Sequence, residues 1–307
     1  MKSTLGVFSL SILAAVVALA HPLPRDDTPN DLDILNFSLT LEHLENTFYT
    51  QGLSRFTQKD FVDAGFPDWS YGRLKQIATH EAAHVQFLES TLGSMATKPC
   101  TYNFPYDDPK SFVALSHAIE AVGTSAYIGA LKSFESKDYV LAVATILSTE
   151  ARHSAWVDSA IRKGSAWSGV YDTPLDFNQA FTVASSFIVS CPPSNPNLPY
   201  TAFAELTLLD PSSAWPGSTT PLQFAIPKDL DSSTKLYGTF LTGQEALIVP
   251  LEDGGKSVSI PDTLRGVVYL LITTDMNAVE DSKTIAGPAL LEFSFNSDGN
   301  LQRLPLW

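Results

Sequence analysis

The chain has 307 residues, 44% of them hydrophobic and 17% charged, with a formal charge of −14 at neutral pH. That length and apolar content support at least one full core, favour two domains over one, and exclude a disordered or fibrous protein. So acidic a surface repels phosphate backbones and anionic bilayers, so neither nucleic acid nor membrane is expected as a partner.

Residues 1–20 follow the pattern of a secretory leader, with Lys2 near the start, a largely apolar run from Leu5 to Leu19, and Ala18-Leu19-Ala20 before His21. The run is shorter than the roughly 20 residues that span a bilayer, so it reads as a signal peptide. The protein is therefore expected to be secreted, extracellular or held in a cell wall. In that compartment Cys100 and Cys191 are expected to form a disulfide. The sequon Asn36-Phe37-Ser38 falls inside a predicted helix, which argues against its use.

From Asp31 to about Cys191 apolar residues recur at helical spacing, in segments at about 31–51, 70–93, 109–134, 137–163 and 175–190. Breakers separate them, among them Gly65-Phe66-Pro67-Asp68 and Lys98-Pro99-Cys100, while Asp108-Pro109 and Thr173-Pro174 suit helix starts. Beyond the proline-rich stretch that follows Cys191 the texture changes to short apolar or alternating runs. These are Phe203–Leu209, Ala246–Leu251, Gly266–Thr273 and Ala289–Phe295. The reading is a helical bundle over residues 31–191, with a fifth helix, followed by a small β-sandwich-like domain over 192–307.

Each of the first four long helices carries acidic residues on an apolar stripe. Helix one has Leu35, Leu39, Glu42 and Tyr49; helix two has Leu74, Ile77, Glu81, His84 and Leu88. Helix three has Val113, His117, Glu120, Tyr127 and Leu131; helix four has Val143, Ile146, Glu150, His153 and Val157. The order is Glu, Glu-x-x-His, Glu, Glu-x-x-His, a two-helix unit written twice. Residues three apart share a helix face, so each Glu-x-x-His pair can grip one centre. Four carboxylates at core positions would be costly without partners, and two divalent cations would cancel their charge. Oxygen-rich ligands with two imidazoles suit iron or manganese, with zinc as a further candidate. The expected metal ligands are Glu42, Glu81, His84, Glu120, Glu150 and His153, the di-metal carboxylate arrangement of ferritin-like bundles.

The segments LNFSLTLEHLENTFY, HEAAHVQFLESTLG, KPCTYNFPYDDPKSFVALSHAIEAVGTSAY and ILSTEARHSAW resemble those of secreted fungal ferritin-like proteins linked to nutrient stress and late sexual development. These in turn are similar to desiccation-related proteins. The likeness covers about residues 31–191, and more weakly GVVYLLITT and AGPALLEFSF near the end. It implies the ferritin-like fold and the same six ligands, but no particular reaction. Dioxygen or peroxide is the expected small-molecule partner of such a site, in a monomer or small oligomer.

Two other readings compete. His80-Glu81-Ala82-Ala83-His84 also spells the zinc-protease motif, in which both histidines bind zinc. A bundle without metal, serving as an extracellular or cell-wall scaffold, is the second. Around the centre, Tyr49 and Tyr127 are expected as core aromatics or as hydrogen-bonding or redox groups. His117 is expected as a core histidine or a supporting ligand. His43 and His80 are expected at the surface, and Trp156 and Trp167 in packing.

Overall fold

The computed structural model describes residues 29–304. The leader-like segment 1–20 lies outside the described residues. The helical half consists of α1 (Asp31–Arg55), the short α2 (Gln58–Asp63), α3 (Ser70–Leu92), α4 (Pro109–Leu131), α5 (Lys137–Trp156) and α6 (Phe177–Ser185). Helix α5 continues as a π-helical segment, Val157–Arg162.

Helices α1, α3, α4 and α5 form the bundle. Local sequence sets their starts: Asn30 and Asp33 form a capping box at α1, and Asp108 and Ser111 form one at α4, where Pro109 takes the first position. The two pairs α1–α3 and α4–α5 are joined by the single long connection 93–108. Helices α3 and α5 are outer helices that bury one stripe each, whereas α1 is buried on every side from Ile34 to Glu45.

That burial corrects one expectation. His43 is not at the surface: it is buried beneath the long connection, with Nε2 3.1 Å from the Thr97 carbonyl oxygen. Asn36 is buried too, donating from Nδ2 to the Leu32 carbonyl and accepting from the Thr97 amide, so its sequon is closed in the folded protein.

The fifth helix is shorter than the expected 175–190. It starts at the Asp176 cap and ends at Ser185, and Ile188–Ser190 form strand β2 instead, paired with β1 (Thr101–Tyr102). The β-branched pair Ile188-Val189 favours extended backbone, and the Cys100–Cys191 disulfide closes the ribbon beside it.

After residue 200 come β3 (Leu206–Leu208), β4 (Thr219–Phe224), β5 (Tyr237–Thr242), β6 (Glu245–Pro250), β7 (Ser257–Ser259), β8 (Gly266–Thr273) and β9 (Thr284–Phe293). They make two antiparallel sheets, ordered β3-β4-β7 and β6-β5-β8-β9. The run Gly266–Thr273 forms a strand with the bounds its apolar stretch predicts, whereas β4, β5 and β7 are short and rich in Thr, Ser, Gly or Pro and do not stand out in the sequence.

Strand β8 is buried along its whole length because it has a packed layer on each side. Val267, Tyr269 and Leu271 join the apolar core of the bundle, while Val268, Leu270 and Ile272 face the core enclosed between the sheets. The order is bundle, four-stranded sheet, three-stranded sheet. Tyr269 pins the first two layers together, donating to the Ala121 carbonyl and bonding Ser125 Oγ at 2.9 Å, both on α4. Among the described residues no helix is long and apolar enough to cross a membrane.

The disulfide joins residues 91 apart, across everything from the start of β1 to the end of β2. Its loss frees a long loop in the unfolded chain, worth about 4–5 kcal/mol if chain entropy alone counts. A Cys100→Ala, Cys191→Ala variant is expected to lose about 2–5 kcal/mol of unfolding free energy in urea denaturation, with secondary structure unchanged by circular dichroism.

Candidate metal centre

The apolar stripes of α1, α3, α4 and α5 face one another, so the acidic residues they carry meet at the bundle axis. Glu42, Glu81, Glu120 and Glu150 have no exposed surface. They fall into two groups: Glu42, Glu81, His84 and Glu150 form one, and Glu81, Glu120, Glu150 and His153 form the other. All six residues singled out in the sequence are therefore brought together.

Glu81 and Glu150 belong to both groups. Glu81 sets Oε2 3.2 Å from His84 Nδ1 and Oε1 3.0 Å from His153 Nδ1. Glu150 sets Oε1 3.0 Å from His84 Nδ1 and Oε2 3.8 Å from His153 Nδ1. The outer positions are filled by Glu42 Oε2, 3.3 Å from His84, and Glu120 Oε2, 3.3 Å from His153. The two halves are related by an approximate twofold axis.

The other oxygens of the outer glutamates are held by tyrosines. Tyr127 on α4 donates to Glu42 Oε1 on α1, and Tyr49 on α1 donates to Glu120 Oε1 on α4 and bonds Ser116 Oγ. Each tyrosine lies seven residues after the glutamate of its own helix but serves that of the other, which requires α1 and α4 to run antiparallel. Burial, then the adjacent carboxylate, pushes both phenol pKa values well up, so both remain donors.

The protein's own charges are poorly matched here. Burial, reinforced by Glu150 and Glu81, raises the Glu42 carboxyl to about 8. Burial and the Glu150 charge likewise raise Glu120 well above the usual range. Glu150 is held down to about 2, because its contacts with the His153 and His84 imidazoles outweigh its burial. His84 is drawn up to about 12: its burial opposes the proton, but Glu150, Glu42 and Glu81 hold it there. His153 is raised for the same reason by Glu120, Glu150 and Glu81.

Each imidazole Nδ1 faces three carboxylate oxygens and can donate to at most one or two. Glu42 Oε2, Glu81 Oε1, Glu120 Oε2, both Glu150 oxygens and His153 Nδ1 are buried without a well-formed hydrogen bond. A metal about 2.1 Å from each ligand sets neighbouring ligands of an octahedron about 3.0 Å apart and those of a tetrahedron about 3.4 Å apart. The close donor separations match that spacing, so the buried groups fit divalent metal.

His80 and His117 lie where expected, at the surface and in the core, but with partners that the sequence does not show, whereas Glu45 escapes the sequence reading and Trp167 departs from it. His80, expected at the surface, is exposed but places Nδ1 2.9 Å from His153 Nε2, an orienting contact of the kind metal-binding histidines make. That also undercuts the zinc-protease reading, since His80 faces His153 while His84 faces the carboxylates. His117 is in neither ligand group; it turns toward Glu292 of β9. Glu45 is a fifth buried glutamate, 2% exposed, with Oε2 unpartnered. Its position three residues after Glu42 on one helix face was the available signal. A Cβ added at Gly123, which is three residues after Glu120 and so the twofold counterpart of Glu45, would lie 2.4 Å from Glu45 Oε1. The glycine is what makes room. Trp167 is 66% exposed rather than packed, while Trp156 meets Trp69 at 6.0 Å.

Residues 30–163 match the family model described as a ferritin-like domain. That span begins at the cap of α1 and ends just past the π-helical segment, so it holds every ligand candidate. The chain is also 26% identical over 228 residues to Protein rds1 of Schizosaccharomyces pombe (strain 972), covering 67% of this chain and 53% of that protein. The chain thus spans about half the length of this curated relative.

Burial raises the Glu45 carboxyl well above its usual value, and the charges of Glu150 and Glu42 add to the effect. An acid with a raised folded pKa binds its proton more tightly folded than unfolded, so the fold loses stability as pH rises above about 4.5. Glu45→Gln is therefore expected to match the metal-free parent in denaturant midpoint near pH 4.5 and to exceed it progressively above. A difference that does not depend on pH would refute the assignment.

Proposed function

We propose that this is a secreted protein whose bundle binds two divalent metal ions and acts on dioxygen or peroxide, in stress response or development. Iron or manganese is the best match to the ligands, with zinc a further candidate. The observation that carries the reading is the sharing of Glu81 and Glu150 between two buried ligand groups. One metal would be held by Glu42, His84 and the shared pair, the other by Glu120, His153 and the same pair.

Bound metals of this kind supply redox and Lewis-acid chemistry, which fits ferroxidase-like, peroxide-dismutating or substrate-oxidising activity. The protein's part is to hold the ligands. Tyr49 and Tyr127 fix the outer glutamates by their second oxygens, and His80 orients His153. Burial excludes bulk water and keeps the carboxylates in one arrangement. Secretion is supported by the leader-like residues 1–20 and by the disulfide, which suits an oxidising compartment. The stress or developmental role rests on the family resemblance of the bundle segments.

A second reading, an extracellular or cell-wall scaffold without metal, draws on the imidazole–carboxylate contacts, which meet part of the charge without a cation. Elemental analysis decides between them. The wild-type protein is expected to carry about two iron or manganese ions per chain, with both lost in Glu81→Ala, Glu150→Ala and one lost in Glu42→Ala, His84→Ala. Absence of metal from wild type after growth with both metals would establish the scaffold.

Metal must displace the protons held on His84 and Glu42, whose folded pKa values of about 12 and about 8 lie above neutrality. Binding is expected to release protons and to strengthen as pH rises from 5 to 8, by up to about tenfold per pH unit for each proton released. Calorimetry in two buffers of different ionisation enthalpy measures that number directly.

A further inference from the structure

Outside the bundle centre, His117 of α4, Asp158 of the π-helical segment and Glu292 of β9 each offer a donor atom, all three within 4.8 Å of one another. They border a cavity of about 90 Å³ between α4, the end of α5 and the four-stranded sheet. That is room for one ion and several waters. Asp158, Asp172 and Glu292 line it, and Arg162 pairs with Asp158 and Glu292.

Two buried residues that line it each carry an unpartnered polar atom, an observation independent of the acidic residues. His117 is 5% exposed and Thr124 is 4% exposed, and neither His117 Nδ1 nor Thr124 Oγ1 has a hydrogen-bond partner. Such groups cost about 1–3 kcal/mol each when left unsatisfied. We propose that this junction is a separate divalent-cation site, with His117, Asp158 and Glu292 as its protein ligands and zinc-like ions, which accept mixed nitrogen and oxygen donors, as its occupants.

Arg162 preorganises the site. Its Nη1 donates to Asp158 Oδ1 at 2.7 Å and to Glu292 Oε1 at 2.8 Å, and its Nη2 to Glu292 Oε2 at 2.8 Å. The guanidinium thus holds the two carboxylates beside His117, whose Nε2 lies 3.9 Å from Glu292 Oε1. With Arg162 counted, Asp158, Glu292 and Asp172 carry two negative charges in excess, the charge of one divalent ion. The π-helical segment has a part in this: its wider turn follows directly on the helix that carries His153 and presents Asp158 toward the sheet. Such segments often mark functional sites.

The site shares no residue with the bundle centre, so the two can be tested apart. Full-length protein is titrated with zinc chloride by calorimetry, and zinc is counted after desalting. One zinc per chain is expected to survive in Glu81→Gln, Glu150→Gln and to be lost in His117→Gln, with affinity reduced at least roughly tenfold. Glu292→Gln, which keeps a hydrogen bond to Arg162, is expected to act like His117→Gln. Equal zinc counts in the parent, His117→Gln and Glu292→Gln, all folded, would overturn the proposal. So would a zinc-soaked crystal with no anomalous peak between α4 and β9, a test that needs no variant. Failure of the bundle to bind metal would instead leave wild type with one zinc.

Discussion

Four glutamates with no exposed surface face one another across the bundle axis, and the protein's own groups cannot satisfy all of their oxygens. Two imidazoles and two phenols are offered against eight carboxylate oxygens, and each imidazole is surrounded by three of them. In so dry a place repulsion among ionised carboxylates is large, so the charge must be met by protons or by cations. The split in behaviour, with Glu42 raised to about 8 and Glu150 held to about 2, is what protons alone achieve. Divalent ions, if bound, would meet the same demand without leaving oxygens unpaired.

Much of the surrounding structure keeps that arrangement closed. The inner helix α1 is buried on all sides from Ile34 to Glu45, because α3, α4, α6 and the long connection cover it, and the tyrosines tie α1 to α4 on both sides of the centre. The four-stranded sheet then lies against α4 through Tyr269, whose hydroxyl bonds Ser125 and the carbonyl next in sequence to Glu120. The β region is therefore part of the wall around the helices. Its central strand has a core on each side, which accounts for eight consecutive buried residues.

The twofold pattern is broken in an informative way. Glu45 sits where its counterpart is Gly123, and the larger group on one helix fills the notch left by the smaller on the other. His153 has His80 on its outer nitrogen, a contact that gives the two Glu-x-x-His pairs different surroundings. A duplicated two-helix unit thus provides two similar ligand groups with unequal neighbours.

The sequence by itself determined which six acidic and histidine residues share the inward helix faces, and the helices that carry them. A helix period of 3.6 residues fixes which side chains share a face, so Glu81 with His84, and Glu150 with His153, could be placed on apolar stripes before any tertiary contact was known. The α3 start followed from the breaker at Gly65-Phe66-Pro67-Asp68, the α4 start from Asp108-Pro109, and β8 from an unbroken apolar run. Periodicity gives an angle about one helix's own axis, however, and says nothing about what lies opposite. Only the tertiary structure decided that Glu81 and Glu150 bridge the two groups, that Glu45 joins them in the core, and that His43 is covered. The same limit sent His117 to Glu292, more than 170 residues away, because packing of β9 against α4 is a long-range event that no local pattern encodes.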